Sequence, residues 1–170
     1  MLDKVLSRMC MMSSGHIKKA DVKNFQFVGR MKSSIKDRKD ALLFKHATLD
    51  IRVIAFAGAS SRSDWKGIIT KPLGVCSNLL VHGGIADMLE SYSVSNVSAF
   101  GADYDLAGKC ASGATLPWNN VILTGFSLGG ALATLLATIS NDTWSGTGVS
   151  RLQYRGDDIP HTPGDRDWET

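Results

Sequence analysis

The chain has only three cysteines, Cys10, Cys76 and Cys110, among 170 residues. Their odd number and wide spacing match neither a disulfide framework nor a zinc motif, so buried or idle thiols are the expectation. An excess of one charge is lacking too. The 19 Lys and Arg against 16 Asp and Glu leave a formal net charge of +3, too near balance for a nucleic-acid partner. Lys and Arg outnumber Asp most clearly in residues 18–45. That stretch reads as a solvated amphipathic face, or as a contact for an acidic surface or an anionic lipid headgroup at a membrane periphery. No apolar run approaches the length of a membrane span. The opening Met-Leu-Asp-Lys-Val-Leu-Ser-Arg carries charges where a signal peptide would be apolar, so the expected location is cytoplasmic. No internal repeat is found, and no residue cluster implies a metal or an organic cofactor. Nothing in the sequence speaks to oligomeric state.

What is present suits one globular domain, with 44% hydrophobic and 21% charged residues. Residues 1–50 form an N-terminal segment of uncertain structure with a possible helix over residues 34–44, and residues 51–170 form the domain that carries the chemistry. Residues 51–57, Ile-Arg-Val-Ile-Ala-Phe-Ala, have the β-branched, nearly all-apolar character of a strand buried on both faces. A loop follows, Gly58-Ala59-Ser60-Ser61-Arg62-Ser63-Asp64-Trp65. Apolar positions 85, 88 and 89 predict a helix over residues 85–90. Residues 92–119 are as compatible with a loop-rich connection as with any regular element. Residues 121–124 predict a second buried strand, residues 128–139 a helix rich in Leu and Ala, and residues 149–154 a short strand. The pattern is α/β: a mostly parallel sheet flanked by helices.

Between the second strand and its helix stands Gly125-Phe126-Ser127-Leu128-Gly129. A serine hydroxyl is a poor nucleophile unless it is exposed on a sharp turn, beside a base, with hydrogen-bond donors facing the developing oxyanion. Gly-x-Ser-x-Gly (GxSxG) allows that turn, and the start of the following helix aims backbone N–H groups at the reacting carbon. Ser127 is therefore the candidate nucleophile and the Leu128 N–H a candidate oxyanion donor. A turn that only starts a helix is the alternative reading.

The wider string of residues 122–133, Ile-Leu-Thr-Gly-Phe-Ser-Leu-Gly-Gly-Ala-Leu-Ala, resembles the nucleophile elbow of the class 3 lipases, the fungal triacylglycerol lipase type. Residues 53–58 resemble that family's oxyanion strand and loop, Asp64-Trp65 its Asp/Asn-Trp pair, and Val81-His82 with Gly84 its Val-His-x-Gly. Residues 156–163, Gly-Asp-Asp-Ile-Pro-His-Thr-Pro, are similar to the segment holding the family's triad acid. The resemblance implies an α/β-hydrolase fold and hydrolysis of acylglycerol-type or related lipid esters, with water as second substrate and no cofactor. It places the nucleophile at Ser127, the oxyanion donors at the backbone N–H groups of Leu128 and Ala59, and the triad acid at Asp158, with Asp157 beside it.

Four departures accompany the match. Phe126 replaces the family's His. Ala59 stands where a Ser or Thr would add a hydroxyl, for which Ser60 or Ser61 offers a substitute. The stretch from Ser127 to Asp158 holds one strand candidate where the family has two strands and a helix, so C-terminal elements are expected to be missing. No residue matches the family's catalytic histidine: His16 and His46 read as surface residues, His82 as structural, and His161 as a substitute base three residues from Asp158. The alternatives to a lipase are an inactive, shortened relative with a binding role, and a thioesterase or acyltransferase, since an elbow specifies acyl transfer without specifying the acyl donor.

Overall fold

The computed structural model describes residues 2–16, 18, 22–95, 97 and 100–140. In chain order the elements are α1 (Leu2–Ser13), β1 (Phe25–Ser33), β2 (Ala41–His46), β3 (Arg52–Phe56), α2 (Arg62–Thr70), β4 (Leu73–Cys76), β5 (Leu79–His82), α3 (Gly83–Glu90), β6 (Tyr92–Val94), β7 (Tyr104–Asp105), α4 (Lys109–Ser112), β8 (Val121–Gly125) and α5 (Leu128–Ile139).

Six strands form one sheet in the order β7-β6-β1-β2-β3-β8, and β4 and β5 pair as a separate hairpin. Side chains alternate across the sheet, as the two-residue period of a strand requires. Leu42, Phe44, Val53 and Ala55 face Val5, Leu6 and Met9 of α1. Leu43, Ile54 and Phe56 join Leu89 of α3 and Leu132 and Leu136 of α5 in the larger core. Helices thus cover both faces, which is why β3 reads as a continuous apolar run.

The strands over residues 51–57 and 121–124 and the helices over residues 85–90 and 128–139 form where expected. The helix expected over residues 34–44 does not. Residues 41–44, Ala-Leu-Leu-Phe, are all buried in β2, between β1 and β3, because a short apolar run flanked by two strands buries both of its faces better as a strand. Residues 25–46 therefore supply the centre of the sheet. Strand directions also differ from the mostly parallel expectation among the described residues: β3 and β8 run parallel, and the other four pairs of this sheet are antiparallel. The strand expected over residues 149–154 lies outside the described residues.

The cysteines are a further correction. Cys76, at the end of β4, forms a disulfide with Cys110 of α4, 34 residues away. Three cysteines hide one pair and one single residue, and sequence spacing holds no information on which loops the fold brings together. Cys10 is buried as a free thiol against the Thr124 hydroxyl, and burial pushes its pKa up. Replacing Cys76 and Cys110 with serine is expected to lower stability by about 3–4 kcal/mol, the chain-entropy value for a loop of this length, read from urea unfolding.

Candidate active site

β3 and β8 pair side by side, Phe56 opposite Gly125, so their carboxyl ends deliver the loop after β3 and the turn after β8 to one edge of the sheet. The β8 turn runs directly into α5. Ser127 is the residue at the turn, with φ 53° and ψ −121°, a conformation that L-residues rarely adopt. As the residue preceding the helix it could cap α5 with its hydroxyl, but it makes no side-chain capping bond. Leu128 is the first helical residue, whose N–H has no intrahelical partner.

Two glycines make the turn possible. A Cβ on Gly125 would strike the backbone of Gly129, and a Cβ on Gly129 would strike the carbonyl oxygens of Phe56 and Ala57. The first turn of α5 thus lies directly on the end of β3, which carries the second arm of the site.

That arm is the loop from Ala57 to Ser61. The Gly58 N–H donates to the Ser14 Oγ at 3.0 Å. The N–H groups of Ser60 and Ser61 donate to the Asp64 Oδ2 at 2.8 and 3.2 Å, and the Ser60 hydroxyl to the same oxygen at 3.4 Å. These serines are therefore engaged with Asp64, whereas the Ala59 N–H between Gly58 and Ser60 has no acceptor among the described residues. Asp64 also closes a capping box with Ser61 at the start of α2.

A cation that sequence reasoning missed stands behind the loop. Arg38, buried, donates from Nη2 to the Ala57 carbonyl at 2.6 Å and from Nη1 to the Gly58 carbonyl at 2.9 Å. It pairs with Asp64 at 3.3 Å, both side chains fully enclosed, and donates from Nε to the Tyr92 hydroxyl at 2.9 Å. Burial pushes the Tyr92 hydroxyl up to about 12, against the downward pull of Arg38. A raised folded-state pKa contributes stability that is fully present below the ordinary tyrosine value near 10 and is lost as pH rises from about 10 to 12. Urea midpoints are expected to fall over that window, and Tyr92→Phe should remove this part of the decline.

The histidines separate by position. His82 caps α3, its Nδ1 accepting from the Gly84 N–H at 3.1 Å, a structural role as expected. The His46 Nδ1 accepts from the backbone of Thr48 and Leu49. His16 is exposed, as expected of a surface residue, yet its ring lies edge-on to Phe126 with centroids 5.5 Å apart, beside the elbow. Asp157, Asp158 and His161 lie outside the described residues.

With this geometry the structure is similar to that of a fungal lipase in complex with an inhibitor, solved as a model for interfacial activation, at a TM-score of 0.55 and 20% identity, covering 88% of this chain and 60% of that one. The likeness is one of fold, an α/β-hydrolase-like sheet flanked by helices. Two further similar structures are a triacylglycerol lipase whose catalytic centre is a serine protease triad (TM-score 0.49, 22% identity, 80% and 51% of the two chains) and the Rhizomucor miehei lipase with its propeptide (TM-score 0.49, 21% identity, 81% and 46%). The chain spans about 60% of the length of the first of these lipases. No protein family matches the sequence, and no curated protein does. No described helix is long and apolar enough to cross a membrane.

Proposed function

We propose that the protein is a serine ester hydrolase of the class 3 lipase type, acting on acylglycerol-type or related lipid esters. The observation that carries this reading is the backbone of Ser127, held at φ 53° on a glycine-lined turn with its hydroxyl free of capping duty. Ser127 attacks the ester carbonyl. The N–H groups of Leu128 and Ala59, on two arms brought together by β3 and β8, hold the oxyanion. Asp158 and His161 stand as the acid and the substitute base of the site.

The exposed apolar side chains of Trp65 and Ile69 on α2, and of Leu73, Val75 and Leu80 on the hairpin, support a lipid substrate and a peripheral contact with lipid surfaces. The Cys76–Cys110 disulfide supports an oxidising compartment over the cytoplasm expected from the sequence, since disulfides are rare in reducing cytosol.

The test is labelling with a fluorophosphonate probe, which reacts with serines activated by a base beside an oxyanion hole. One label per chain is expected, lost in Ser127→Ala. Absence of labelling on folded protein would leave a hydrolase fold without hydrolysis, the inactive relative.

A further inference from the structure

The Ala57–Ser61 loop carries one candidate oxyanion donor, and nothing in its own sequence fixes where that donor points. A trans peptide is planar, with its C=O and N–H on opposite sides, so a partner that holds the carbonyl of one residue sets the direction of the next N–H. The chain has no cis peptide among its described residues. The Arg38 guanidinium holds the Ala57 carbonyl, and on the far side of that peptide the Gly58 N–H reaches the Ser14 Oγ. It also holds the Gly58 carbonyl, which leaves the Ala59 N–H directed away from Arg38. At the same point Gly58 abuts the elbow, where a Cβ would come within 3.0 Å of the Phe126 carbonyl oxygen and of its ring.

We propose that Arg38 is the positioning residue of the oxyanion loop: its fork holds two successive carbonyls and thereby aims the Ala59 N–H at the elbow. The assignment rests on the hydrolase reading for its effect on turnover, while its effect on the loop stands apart from that reading. A planar guanidinium suits the task because its donors diverge in a fixed geometry, which a lysine ammonium lacks. Asp64 neutralises the buried cation and binds the N–H groups of Ser60 and Ser61, so it anchors the next two residues of the same loop.

The experiment compares wild type, Arg38→Lys and Tyr92→Phe under conditions where circular dichroism shows each to be folded. Tyr92→Phe removes a hydroxyl that contacts Arg38 but none of the loop carbonyls. Arg38→Lys is expected to slow fluorophosphonate labelling of Ser127 by about 10-fold or more, with Tyr92→Phe staying within about 2-fold. Amide hydrogen exchange of Gly58 supplies a readout independent of chemistry. In Arg38→Lys it is expected to accelerate by about 10-fold or more relative to Ile54 in β3. Where Arg38→Lys does not fold, the neutral pair Arg38→Gln with Asp64→Asn leaves no buried charge unpaired and takes its place with the same expectations. Labelling losses that merely follow the stability of all variants, or unchanged Gly58 exchange in the folded Arg38 variant, would overturn the assignment. A wild-type protein that takes no label refutes the hydrolase reading, and Gly58 exchange then decides the role of Arg38 alone.

Discussion

Gly129→Ala is expected to slow labelling of Ser127 by about 100-fold or more, since a displacement on the order of 1 Å in a reacting geometry can cost that much. It is also expected to destabilise the protein by at least about 3 kcal/mol, the upper part of the range for overpacking. The added methyl would meet the carbonyl oxygens of Phe56 and Ala57, which are backbone atoms at the end of a central strand and cannot turn aside. Relief requires α5 to move off β3, and that motion separates the Leu128 N–H from the Ala59 N–H. Gly130→Ala is the matched control. Its nearest neighbour, the Gly125 carbonyl oxygen, would lie 3.4 Å from the new Cβ, and alanine favours the helix over glycine by roughly 0.5–1 kcal/mol. That variant should label normally and be no less stable in urea. Equal behaviour of the two variants would mean that α5 does not seat on β3 as described.

Asp64→Ala is expected to cost about 3–5 kcal/mol, because it leaves the enclosed Arg38 guanidinium without a counter-charge and strips the acceptor from the Ser60 and Ser61 N–H groups. Urea unfolding measures the loss. Replacing both members, Arg38→Met with Asp64→Leu, should recover a large part of it, since a buried ion pair exchanged for apolar side chains is often close to neutral while a lone buried charge is not. A cost below about 1 kcal/mol for Asp64→Ala would place the pair in solvent, where such bridges contribute little.

Most of what the sequence announced was local. Residues 52–56 and 121–125 are strands because apolar, β-branched runs favour the extended chain, β3 enclosed on both faces and β8 half-buried at the edge of the sheet among the described residues, and residues 128–139 are a helix because Leu and Ala favour one. The elbow was legible for the same reason, as its two glycines and the serine between them act within five residues. Residues 34–44 were misread because a short apolar run does not reveal its period, and β1 and β2 pair with strands whose positions the run itself does not encode.

The glycines, the serine and the apolar runs of this chain by themselves determined a strand-turn-helix with Ser127 at its apex, since each depends on interactions among near neighbours. Only the tertiary structure decided that Cys76 meets Cys110, that His16 lies beside Phe126, and that Arg38 meets Asp64 behind the Ala57–Ser61 loop, across 34, 110 and 26 residues of chain. The disulfide is a covalent bond and the other two contacts draw on burial, charge pairing and hydrogen bonding, all between segments that only the packed sheet brings together, so no run of neighbouring residues records them.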